Sequence, residues 1–236
     1  VKEKIMRLLY NVLEWMSRFL AVNLLWIFFN IPIWYFIISL VLAENQNQLI
    51  GLIIILVVLV PLLFFPATTS MFAIIRKWIM NEREVPIIKY YWKFYKENYV
   101  KSMLGGFIII GIWIIFIIDY YYFKTYLNSM FLYLFIVLFI LLLTFTMYFI
   151  STIVHFEAKL LYSLKNAFLI TIIRPISSLG IGILNVLSIY VSVYHITFLI
   201  PTFLGTIIAY VSFSGFFKVY VTLEAKREKD NMKNLK

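Results

Sequence analysis

Apolar positions along this chain fall into long unbroken runs, separated by short clusters of polar and charged residues. A bilayer's hydrocarbon core is about 30 Å thick, so a crossing helix needs about 20 mostly apolar residues. The pattern predicts spans near 19–43, 49–75, 103–123, 130–154, 176–194 and 196–217. The first is closed by Glu44-Asn45-Gln46-Asn47-Gln48, and the second contains Pro61 and Pro66. The third loses its apolar run at Asp119, beside Tyr120, Tyr121, Tyr122 and Phe123, which read as an interfacial belt. The stretch from Ile176 to Phe217 is too long for one helix and is divided around His195 to Pro201. The expected fold is all-α: one polytopic membrane domain over 1–236, with six transmembrane helices plus interfacial amphipathic helices.

Three segments show helical two-facedness instead of continuous hydrophobicity. Residues 1–18 set Ile5, Leu8, Leu9, Val12 and Met16 against Lys4, Arg7, Asn11, Glu14 and Arg18. The apolar run that follows is too long for a signal peptide's core, so this segment is expected to lie in the interface and feed the first span. After the charged turn Asn81-Glu82-Arg83-Glu84, Pro86 suits a first helical turn. Beyond it Lys89, Lys93, Lys96 and Glu97 share one face, with Lys101 in register, while Ile88, Tyr91, Trp92, Tyr95 and Tyr99 share the other. That helix, Pro86 to Ser102, is expected to run parallel to the inner leaflet and to meet anionic lipid or an acidic partner. Residues 155–174 repeat the arrangement more weakly, with Lys159, Ser163 and Asn166 opposite Leu160, Leu161, Leu164 and Phe168.

Charge sets the orientation. The chain holds 21 Lys and Arg against 11 Asp and Glu, and with six spans every basic residue but Lys124 falls on one side. The positive-inside rule then puts both termini in the cytoplasm. This accounts for the net charge of +10 without nucleic acid. Composition agrees: 64 % hydrophobic and 14 % charged residues exclude soluble and disordered classes, which average about 45–50 % apolar and about 25 % charged.

Candidate chemistry is sparse. With no cysteine there is no disulfide framework, thiolate metal site or thiol nucleophile. His155-Phe156-Glu157 at the inner end of the fourth span offers two metal or proton-relay groups without a third, and reads more simply as interfacial. His195 falls in an outer turn. No nucleophile–base set, phosphate-cradling glycine loop or HExxH pattern is present, so neither enzyme activity nor a cofactor or metal is expected.

The polar residues within spans have two readings. Asn23 and Asn30 lie seven apart on one helical face, with Trp26 between them; they are interhelical glue or a polar solute site. Ser178 with Gly182, and Gly205 with Ala209, are small-residue pairs suited to close packing. Pro66 is expected to interrupt the second span, with Thr68, Thr69 and Ser70 satisfying freed carbonyls. Arg76, Lys77 and Trp78 then anchor its inner end at the interface. A broken helix lining a cavity is a transporter feature, but the sequence offers no evident matching break.

Asn23-Leu24-Leu25-Trp26, the run from Phe65 to Phe72, Arg76-Lys77-Trp78 and the stretch from Pro86 to Ser102 resemble the YesL-like family of small bacterial membrane proteins of unknown function. The resemblance covers roughly residues 15–106. It implies the bacterial plasma membrane and genes beside carbohydrate ABC importers, and it brings no catalytic residues. Two functions compete: a non-enzymatic accessory or regulatory subunit partnered with ABC transporter subunits, or a small-solute (sugar) carrier in its own right.

Overall fold

Helix α1 runs unbroken from Lys2 to Phe29, because nothing in that segment is a proline or glycine. The amphipathic start and the first apolar run are therefore one helix, and no boundary falls near residue 19. The break comes at Asn30, where Pro32 can supply no backbone donor, and α2 follows over Ile31–Val41. The computed structural model describes residues 2–82, 84–126, 130–156 and 158–234. Arg83 and Glu157, named above, lie outside the described residues, as does the side chain of Leu8.

The described residues are mostly helical, with no strand among them. Asn45 caps α3 by accepting from the backbone N–H of Gln48 at 2.8 Å, and α3 covers Gln46–Leu59. A five-residue π-turn, Val60–Phe64, joins it to α4, Phe65–Ile79. The helix α5 spans Ile87–Tyr126, α6 Met130–His155 and α7 Leu160–Ile173. Next come α8, Pro175–Tyr194, a second π-turn at Ile200–Leu204, and α9, Gly205–Asn234. Among the described residues six helical stretches are long and apolar enough to cross a membrane: Glu3–Phe29, Gln46–Ile79, Ile87–Tyr126, Leu132–His155, Pro175–Tyr194 and Ile200–Lys229. This is a multi-pass membrane protein.

Helix α4 is the innermost element. Every residue from Phe65 to Ile75 is buried, packed by α5, α6, α9 and α1. Its Phe72 and Ile75 form the apolar core with Val22, Tyr148, Phe149, Phe213 and Phe216 from the helices around it. The interior also carries many hydroxyls, among them Thr144, Ser151, Thr152, Ser163 and Ser178, each fully buried. Thr144 donates to Ser178 O at 2.9 Å and Thr152 to Ser163 O at 3.1 Å, tying α6 to α8 and α7. Small groups here let helix backbones approach, while bulky apolar groups such as Ile176 at 86 % exposure face outward, the arrangement expected where lipid is the solvent.

Three expectations are corrected. The segment Pro86 to Ser102 is not a separate surface helix. It forms the first part of the 40-residue α5, about 60 Å long at 1.5 Å per residue, which no breaker interrupts. Gly105 and Gly106 do not stop it, because they serve close packing: a Cβ on Gly105 would sit 2.0 Å from Phe149 Cζ. Secondly, α7 does not keep the two faces read from its pattern. Ser163, Ala167, Ile170 and Thr171 are buried, while Leu161 and Phe168 are exposed and Leu160 and Leu164 pack half-buried against the core. Small groups let α7 approach α6, and the larger apolar ones have lipid to face. Thirdly, the break in the second span falls at 60–64 and contains Pro61, and Pro66 occupies the first turn of α4, where a missing N–H costs little.

Candidate functional site

The second π-turn, α1 and the start of α4 build one polar junction. In the first π-turn, the backbone N–H of Phe65 reaches Val60 O, five residues back. Pro66 has no N–H to donate, so the wide turn and this proline together loosen the ladder before α4 begins. Ser70 Oγ donates to Pro66 O at 2.9 Å, as a hydroxyl after a helix break is expected to do. Thr68 Oγ1 instead accepts from Trp26 Nε1 at 3.0 Å. Thr69 is fully buried and its hydroxyl has no partner.

The second turn, Ile200-Pro201-Thr202-Phe203-Leu204, has the same proline position as Val60-Pro61-Leu62-Leu63-Phe64. Here a side chain from another helix closes it. Asn23 Nδ2 donates to Pro201 O at 2.8 Å and Ile200 O at 3.4 Å, and its Oδ1 accepts from Thr206 N at 3.3 Å. The amide thus bridges a carbonyl and an N–H five residues apart. Gly205 makes room for it: a Cβ there would lie 2.8 Å from Asn23 Oδ1 and 3.2 Å from Met71 Cε. Asn30 Nδ2 donates to Trp26 O at 2.7 Å within its own chain segment, and its buried Oδ1 has no partner.

The structure therefore brings Asn23, Trp26, Asn30, Pro66, Thr68 and Thr69 to one region, but spends most of their polar atoms on helix contacts. Trp78 is not an interfacial anchor. It is 3 % exposed, stacked on Phe19 at 5.8 Å and edge-on to Trp15 at 5.7 Å. Lys77 bonds Glu82 just past the helix end, and that hydrogen bond holds the Glu82 carboxyl below its usual range. Arg76 and Lys101 line a polar cavity between α4 and α5.

Lys89, Trp92, Lys93 and Lys96 are exposed on α5. Lys96 sits 4.7 Å over the Trp92 ring and Lys93 5.7 Å over Tyr90, while Lys93 pairs with Glu97 at 3.7 Å. Tyr91, one residue away, is wholly buried and donates from its hydroxyl to Ala67 O at 2.8 Å. Phe29 packs on Tyr91, Trp92 and Tyr95 at 4.7–5.7 Å. The aromatic face is thus divided between core and surface. Tyr91→Phe keeps the ring and strands one carbonyl, so unfolding measured by thermal melting in detergent should show a loss of about 1 kcal/mol.

His155 is boxed by Phe156, Phe213, Phe216, Phe217 and Tyr220, with ring centroids 4.7–6.2 Å away. Among the described residues no cluster of three or more His, Cys, Asp or Glu could hold a metal. Sequence reasoning missed Tyr91 as a buried donor and Pro201, Gly205 and Thr206 as partners of Asn23. The available signal was the echo of Val60-Pro61 in Ile200-Pro201.

Comparison with known proteins places this geometry in context. The family described as "Protein of unknown function, DUF624" matches residues 19–120, which hold the end of α1, all of α2, α3 and α4 with the first π-turn, and most of α5, but not the second π-turn. The chain is similar to three uncharacterized proteins of Bacillus subtilis (strain 168). With YteU it is 33 % identical over 106 residues, 45 % of this chain and 36 % of that protein. With YesV it is 27 % identical over 163 residues, 65 % of this chain and 76 % of the relative. With YesL it is 22 % identical over 218 residues, 92 % of this chain and 91 % of the relative. The chain thus spans little more than a third of the first relative and most of the other two. No solved structure matches. The resemblance to the YesL-like family is borne out.

Proposed function

From that relationship we propose a non-enzymatic membrane subunit, accessory or regulatory, that works with a carbohydrate ABC importer in the bacterial plasma membrane with both termini in the cytoplasm. One observation carries the reading: the basic and aromatic surface of Lys89, Trp92, Lys93 and Lys96 stays exposed while its own helix is fixed in the core through Tyr91. A rigidly held, outward basic surface is suited to docking an acidic partner or anionic lipid, at about 1 kcal/mol per basic residue near a charged membrane. The polar groups of α1 give the rival carrier reading less support, since Asn23 and Trp26 are engaged by other helices.

The test is co-purification. The protein extracted in mild detergent is expected to bring ABC permease subunits with it. Replacing Lys89, Lys93 and Lys96 together by glutamate should lower that yield at least fivefold, with the melting temperature of the purified protein unchanged. An unchanged yield would assign these lysines to topology alone.

The carrier reading has its own supporting observation, the pair of proline-bearing π-turns at 60–64 and 200–204, because paired interrupted helices mark transporter sites. Flux of a sugar into proteoliposomes containing only this protein would establish it over the accessory role.

A further inference from the structure

Arg174 stands at a corner of the chain: it closes α7 and precedes α8, with backbone angles that belong to neither helix. It shares a small cavity of about 120 Å³ with Lys218 of α9, and Ser177, Val219 and Thr222 complete the lining. No carboxylate is among those five residues. Among the described residues neither cation takes part in an ion pair or a side-chain hydrogen bond. Both have accessible surface, Lys218 more than Arg174. Two like charges brought from different helices to one cavity repel, and an anion between them turns that repulsion into two attractions. The Thr222 hydroxyl is already spent on Lys218 O at 2.8 Å, whereas the exposed Ser177 hydroxyl makes no hydrogen bond among the described residues. The surroundings are apolar. Ile173 and Ile176, on either side of Arg174, are 55 % and 86 % exposed. Ser177, Gly180 and Leu184 follow one another at helical spacing on a single face of α8. Gly180 is exposed with nothing within 4 Å of its would-be Cβ, and Leu184 is exposed beyond it. A shallow apolar track therefore leads away from the cavity along the outside of a crossing helix.

We propose that this cavity holds the phosphate of an anionic phospholipid, between Arg174 and Lys218, with an acyl chain lying over Gly180. The planar guanidinium offers paired donors to two phosphate oxygens, Lys218 takes a third, and the Ser177 hydroxyl can donate as well. A headgroup without an ammonium fits best, because two cations with no carboxylate beside them leave nothing for a headgroup cation to meet. The apolar track favours lipid over a soluble phosphate, since a free anion gains nothing from exposed Ile176 and Leu184. The competing account is that Arg174 and Lys218 are solvated charges that serve topology alone.

The full chain in nanodiscs of phosphatidylcholine with a minor share of phosphatidylglycerol tests this. Native mass spectrometry of the released protein is expected to find phosphatidylglycerol retained at least tenfold over its share of the disc. Arg174→Gln and Lys218→Gln should each lower that retention at least tenfold. Arg174→Lys, which keeps the charge and loses the fork, should fall between. Lys165→Gln, an exposed charge on α7, should leave retention unchanged. Thermal melting in detergent gives a second reading: added phosphatidylglycerol should raise the melting temperature of the unmodified chain and raise that of Lys218→Gln less. If Arg174→Gln fails to fold, Lys218→Gln at its exposed position still decides. Retention of the two lipids in proportion to their shares, or unchanged retention by Lys218→Gln, overturns the proposal in favour of topology charges. Inorganic phosphate that raises the melting temperature as much as phosphatidylglycerol overturns the assignment to lipid.

Discussion

Gly106→Val is expected to cost about 3 kcal/mol, the upper part of the usual range for overpacking, and to abolish most of the monodisperse protein recovered from detergent. A Cβ at Gly106 would stand 2.8 Å from two ring carbons of Phe65 and 3.1 Å from Pro61 Cα. Phe65 is itself 2 % exposed and has nowhere to swing. Pro61 is backbone within the first π-turn, so relief requires α5 to move off that turn. The contrast lies one and a half turns along: Gly111 has nothing within 4 Å of its would-be Cβ. Gly111→Ala should therefore leave stability unchanged or raise it by up to about 1 kcal/mol through helix propensity. The two variants are compared by the temperature at which half the size-exclusion peak is lost. Equal melting temperatures would mean that α5 does not approach the first π-turn as closely as described.

Asn23→Ala ranks second, at about 2 kcal/mol. A single hydrogen bond between helices in a membrane averages about 0.6 kcal/mol, but this amide makes three, and its removal leaves Pro201 O and Thr206 N in a buried site at about 1–3 kcal/mol for stranded groups. Asn30→Ala removes one bond to Trp26 O in its own helical segment and a carbonyl oxygen that had no partner, so its cost should stay under about 1 kcal/mol. The unequal response of two asparagines that share a helical face is the discriminating result, read from the same melting assay. Equal losses would place the bridging contact elsewhere.

The number of crossing helices was legible because the apolar runs are long and the polar clusters between them are abrupt, as at Glu44 to Gln48. What periodicity could not supply was which side of each helix faces protein. The pattern put Ser163 on the polar face of α7 opposite Leu161 and Phe168, yet Ser163 is buried and those two are exposed, because a small group suits helix contact and a large apolar one can face lipid. Helix ends were hard to place for a related reason. Amphipathic and apolar stretches differ in composition, yet nothing interrupts the backbone where they meet, so α1 and α5 run through the compositional boundaries near 19 and 102. The polar cluster of Asn23, Trp26 and Thr68 was visible as residues that lipid would not tolerate alone. Their partners were not, since Pro201 and Thr206 lie 178 and 183 residues from Asn23, and no local spacing encodes so distant a pairing.

The second π-turn stores one extra residue within the last crossing helix. A π-turn holds one residue more than the α-helical turn it replaces, and each residue advances an α-helix by about 100°. Thr206, Ala209, Phe213 and Phe216, all with no exposed surface, form a single stripe along α9 only in the present phase. Deleting Thr202 would shorten α9's path by about 1.5 Å, a trivial loss of length. It would let the wide turn close as an ordinary α-helical one, keeping that stripe in phase while removing the spaced pair of Pro201 O and Thr206 N that Asn23 bridges. Length changes in this protein are therefore unequal: a residue lost from 200–204 is absorbed by closing the turn, whereas one lost within α9 turns every later residue of that helix by about 100°.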